Sequence, residues 1–79
     1  MIVNVKLVKD IIEIEIELKE IGFTFKSTVK NGEKFLMPFV LTDVDLLNQI
    51  TKGVNGTIDY IIERNKDDDR YTDEITNYL

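Results

Sequence analysis

Ile12-Glu13-Ile14-Glu15-Ile16-Glu17-Leu18-Lys19 alternates apolar and charged residues without a break. A period of two, with β-branched side chains on one side, is the pattern of a strand that buries one face and wets the other. A helix is the competing reading of residues 10–21. Asp10 with Glu13 imitates a capping box, and Gly22 stands where a helix would close. On a helical wheel, however, Glu15 and Lys19 fall inside the apolar arc, which favours the strand.

The flanking segments continue the alternation. Upstream, Val3, Val5 and Leu7 alternate with Asn4 and Lys6; downstream come Phe23, Phe25 and Val29. A two-residue turn at Lys9-Asp10 pairs Leu7 with Ile12, Val5 with Ile14 and Val3 with Ile16. A turn centred on Glu20-Ile21 pairs Leu18 with Phe23 and Ile16 with Phe25. Both registers keep the apolar residues on one face, as a sheet with one buried side requires. They also set Lys6 opposite Glu13 and Glu15 opposite Lys26 on the other face, which are favourable cross-strand pairs.

Lys34–Leu41 is apolar at nearly every position and contains Pro38. Proline cannot donate a ladder hydrogen bond, so this segment is expected as an edge strand. A three-residue loop, Lys30-Asn31-Gly32 with Gly32 in a left-handed bulge, would pair Phe25 with Met37 and Phe23 with Phe39. Leu36 and Val40 then point to the polar face beside Pro38, an apolar patch of the kind that marks an interface.

The rest of the chain reads as helices. Thr42 or Asp43 caps one with Val44, Leu47 and Ile50 on its apolar side and Gly53 past its end. Asn55 or Thr57 caps a second that presents Ile58, Ile61 and Ile62, until Asp67-Asp68-Asp69 interrupts it. A final short turn gathers Tyr71, Ile75 and Tyr78. The expected fold is therefore α+β, in one domain spanning 1–79. A four-stranded antiparallel β-meander over 1–41 precedes an acidic half over 42–79, whose two or three short helices pack on one face of the sheet.

Composition limits the chemistry. The 79 residues include neither Cys nor His, so there is no disulfide, no thiolate zinc site, and none of the commonest general base and metal ligand. Ser27 is the only serine and has no triad partners. A calcium loop begun at Asp67 would need glycine where Thr72 stands and glutamate where Tyr78 stands. No catalytic, cofactor-binding or metal site is expected, and the chain reads as a non-enzyme. Nothing in it reads as a signal peptide or as an apolar span of about 20 residues, so the cytoplasm is the expected compartment, with no membrane partner.

Charge is distributed unevenly. Residues 1–41 hold six lysines and six acids, whereas residues 42–79 hold nine acids against four bases, so the net charge of −5 lies in the second half. Such a surface repels nucleic acid and attracts basic proteins. The expected acidic interface is Glu63, Asp67, Asp68, Asp69, Asp73 and Glu74, which would imitate the phosphates of DNA in a positively charged groove. Glu13, Glu15 and Glu17, spaced about 7 Å apart along a strand, suit the same role.

A short, acidic, Cys-free chain rich in Lys, Ile and Asn resembles the small accessory proteins encoded by bacteriophages of low-GC bacteria. The resemblance is one of composition over the whole chain and rests on no motif. It implies a protein that binds and blocks a basic, nucleic-acid-acting host protein. The alternative is a self-associating structural or virion-assembly protein, a homodimer in its simplest form, joined through the apolar edge of Leu36, Pro38 and Val40.

Overall fold

The computed structural model describes residues 1–38, 43–67 and 72–78. Along the chain run β1 (Ile2–Val8), β2 (Ile11–Leu18), β3 (Phe23–Lys30), α1 (Val44–Asn65) and β4 (Thr72–Tyr78). The strands form one antiparallel sheet in the order β3-β2-β1-β4. A helical layer covers one face, so the class is α+β.

The first three strands take the register that alternation demands. Leu7 faces Ile12, Val5 faces Ile14 and Val3 faces Ile16. Leu18 faces Phe23, Ile16 faces Phe25, and Glu15 faces Lys26. Residues 10–21 are strand followed by a single 3-10 turn, Lys19–Ile21, which Gly22 closes at φ 63°. Lys9 in the first hairpin also has a positive φ, of 56°, which is costly for a residue with a Cβ.

Three expectations are corrected. Of the expected fourth strand, Lys34–Leu41, the described residues 34–38 are not strand, and the fourth strand is Thr72–Tyr78, which pairs with β1 at the opposite edge and makes the order no simple meander. Ile75 and Tyr78 therefore lie in a strand on opposite faces rather than in a helical turn, and Tyr71 lies outside the described residues. The expected pairing of Phe25 with Met37 is absent, and that of Phe23 with Phe39 falls outside the described residues.

In place of a strand, residues 33–38 form an extended strap whose backbone bonds to the helix instead of the sheet. Asn55 accepts from the Phe35 amide at 2.8 Å and donates to the Phe35 carbonyl at 2.9 Å. The Met37 amide donates to the Thr51 hydroxyl at 3.4 Å. Phe35 and Met37 turn inward and are buried, and the Phe35 ring lies 6.1 Å from that of Phe25. Side chains thus satisfy backbone groups that a ladder would otherwise have to satisfy.

The third correction concerns the helices: among the described residues there is one α-helix. Asp43 caps it, accepting from the Leu46 amide at 3.0 Å. Gly53 does not end it, and Asn55 and Thr57 lie within it rather than at a cap. Leu47, Ile50, Val54, Ile58 and Ile61 form one buried stripe across both internal glycines. Burying each of these side chains is worth about 1.5–3 kcal/mol, against roughly 1 kcal/mol lost at each glycine, so packing decides the helix length.

The core lies between these layers. Val3, Val5, Leu7, Ile12, Ile14, Ile16 and Leu18 rise from the sheet to meet the helical stripe, with Phe35 and Met37 completing the cover. β4 contributes only Ile75 to this apolar contact. Its other inward residues, Asp73 and Asn77, are polar and find partners on α1. The Asn77 amide donates to the Thr57 hydroxyl at 3.0 Å, and that hydroxyl donates to the Gly53 carbonyl at 2.9 Å.

Candidate interaction surface

Among the described residues, only one face of the sheet carries the helical layer and strap. The cross-strand registers arrange the side chains of the other face in rows running from β3 to β4. The central rows are Thr28-Glu13-Lys6-Glu74 and Lys26-Glu15-Asn4-Thr76. All of these residues but Thr76 line a shallow hollow of about 600 Å³. Glu15 and Lys26 form an ion pair at 3.6 Å, and Asn4 donates to the Thr76 hydroxyl at 2.8 Å. Lys6 lies in register between Glu13 and Glu74.

The outer rows are more apolar. At one end lie Lys30, Ile11, Val8 and Thr72; at the other lie Thr24, Glu17, Ile2 and Tyr78. Ile11 is 48% exposed and Tyr78 is 78% exposed. A charged band is thus framed by large apolar groups. Aromatic and aliphatic anchors beside positioned charges are the composition of protein interfaces.

The described members of the expected acidic cluster, Glu63, Asp67, Asp73 and Glu74, do not share one face. Asp73 points inward: its carboxylate accepts from the Asn65 amide at 2.6 Å, from the Arg64 Nε at 2.7 Å and from the Glu74 backbone amide at 2.8 Å. The Asn65 hydrogen bond, helped by Arg64 and the Glu74 amide and opposed by desolvation, holds the carboxyl below its ordinary range. The same contact raises Arg64, whose guanidinium lies 5.5 Å from the centre of the Tyr60 ring. Glu63 pairs with Lys66 at 2.8 Å, which raises the lysine. Asp67 is exposed, Glu74 lies on the open sheet face, and Asp68 and Asp69 lie outside the described residues.

Of the expected apolar edge, Leu36 is 80% exposed and Pro38 is exposed, both on the strap, while Val40 lies outside the described residues. Sequence reasoning missed Ile11 as a surface anchor, although it has the parity of Glu13 and Glu15, a usable signal. Tyr78, expected either to cover the apolar edge or to join an interface there, lies on the open sheet face.

Among the described residues no cluster of three or more acidic side chains is placed to hold a metal ion, and no helix is long and apolar enough to cross a membrane. Fold and surface together define a two-layer α+β domain with strand–strand–strand–helix–strand order and one open, mixed-charge sheet face. No protein-family model matches the chain, and neither a curated protein nor a solved structure matches it significantly.

Proposed function

We propose that this chain is a non-enzymatic protein-binding module that applies its open sheet face to a basic protein surface. The observation that carries the reading is the pattern on that face. Glu13 and Glu74 stand in register against Lys6 and Glu15 against Lys26, while Glu17 and Lys30 lie in the outer rows with exposed Tyr78 and Ile11. The carboxylates supply steering and register, and the apolar ends supply area to bury. The chain's net charge of −5 favours the same class of partner. A protein that ordinarily holds nucleic acid fits this description, and its inhibition by occupancy of the basic groove is the corresponding activity.

Affinity capture from cell lysate, with elution by salt, tests the reading. The wild type should retain a salt-released set of basic proteins that Glu13→Lys with Glu17→Lys fails to retain, while circular dichroism shows both folded. Equal retention by the variant, or a captured set without basic bias, would overturn the reading.

A further inference from the structure

The two edges of the sheet match one another. The Asn31 amide donates to the Asp10 carbonyl at 2.8 Å, in line with the β2–β3 register. Antiparallel ladders alternate, so Phe23, Phe25, Ser27 and Val29 bond to β2, while Thr24, Lys26, Thr28 and Lys30 turn their backbone groups outward. Carried across the sheet, the same alternation makes Asp73, Ile75 and Asn77 bond to β1 and turns the backbone of Glu74 and Thr76 outward. Among the described residues neither outer edge has a strand partner.

On both edges the outward-bonding residues carry the open-face side chains. Joining β3 of one copy to β4 of another therefore keeps open face with open face and covered face with covered face. An antiparallel register that sets Lys26 opposite Glu74 also sets Thr24 opposite Thr76. On the covered face it sets Phe25 opposite Ile75, Ser27 opposite Asp73 and Phe23 opposite Asn77. The central row of one copy then runs Glu13, Lys6, Glu74 and continues on the next as Lys26, Glu15, so the sign alternates at every strand.

Other pairings fit less well. Shifting the register by two residues in either direction places Asp73 opposite Phe25 or Val29. A further shift, setting Lys30 opposite Glu74, carries Phe23 and Phe25 past Tyr78, where β4 ends. Pairing β3 with β3 brings only lysines together, and pairing β4 with β4 brings only Glu74 near its own copy, so like edges repel where unlike edges attract.

The geometry points to head-to-tail self-association, with β3 of each copy adding to β4 of the next in one continuous antiparallel sheet. The partner is a second copy of this chain in the same orientation, so the contact is heterologous and propagates beyond a dimer. Four strands span about 19 Å, which leaves room for each copy's helix, about 10 Å across, and its strap in the second layer. The inference is independent of the basic-partner reading, since the open face stays bare along the assembly.

Light scattering as a function of concentration at low salt reads the outcome. The weight-average mass should climb past twice the 9.2 kDa monomer. Lys26→Glu or Glu74→Lys alone should weaken association roughly five- to ten-fold. The two together in one chain should restore it, because these residues meet only between copies. Proline at an outward-bonding position removes one edge amide, so Thr24→Pro and Thr76→Pro should each be monomeric. Mixed together they should form a dimer and nothing larger. A wild type that stays monomeric at millimolar concentration would overturn the proposal, as would single-edge proline variants that dimerise by themselves.

Discussion

Removing the Asn55 side chain should release the strap from the helix. In Asn55→Ala the Phe35 amide and carbonyl both lose their partner, and both are partly buried. Two neutral hydrogen bonds contribute about 1 kcal/mol each, and stranding the two backbone groups adds desolvation cost, for an expected loss of about 2–4 kcal/mol. A chain of this length has a total stability of about 4–12 kcal/mol, so the loss is a large fraction of it. The melting temperature should fall by roughly 10–25 °C. Urea denaturation measures the global effect, and hydrogen exchange at the Phe35 amide measures the local one.

Asn55→Asp sharpens the test through pH. The ionised carboxylate still accepts from the Phe35 amide but opposes the Phe35 carbonyl, whereas the protonated form can donate to that carbonyl. Its folded pKa should therefore lie above the ordinary value of about 3.9. The stabilisation it gives is complete below the unfolded pKa and disappears as pH rises through the folded one, so this variant should gain on wild type as the solution is acidified. Thr51→Val is the mild control, since the Met37 amide lies 3.4 Å from the hydroxyl. A loss under about 0.5 kcal/mol in Asn55→Ala, with Phe35 protection unchanged, would refute the clamp.

Gly56→Ala should stabilise the protein by about 1 kcal/mol in urea, because the position is exposed in mid-helix and an added Cβ meets nothing within 4 Å. Lys9→Gly should raise stability by about 0.5–1 kcal/mol, read from the same curves, by relieving a left-handed backbone at φ 56°. Asp73 has a depressed folded pKa, so its stabilisation is present above the unfolded carboxyl value and is lost as pH falls through the folded one. The urea midpoint of the wild type should consequently drop more steeply in acid than that of Asp73→Asn.

The first three strands were legible because their inward positions are apolar except at Ser27 and their outward ones mostly polar or charged. β4 was hidden because its inward row reads Asp73, Ile75, Asn77, with a single apolar member. Its polar inward residues are satisfied by Arg64, Asn65 and Thr57 on α1, which no local pattern announces. The strap misled for the opposite reason. Its Phe35 and Met37 are as strand-like as any pair in the chain, but the deciding partner is Asn55, 20 residues away. The helix was divided at Gly53 by a propensity argument that the continuous stripe from Leu47 to Ile61 overrides.

β4 and the strap share a cause that also bears on the surface: in each, a side chain on α1 satisfies a group belonging to another element. Asp73 turns inward because Asn65 and Arg64 hold it, and the strap lies against the helix because Asn55 holds Phe35. Among the described residues, the open sheet face and its two edges have no such layer above them. Once the folded pairings are removed, carboxylates from both halves remain on the open face, with Glu13 and Glu17 from the neutral half beside Glu74 from the acidic one.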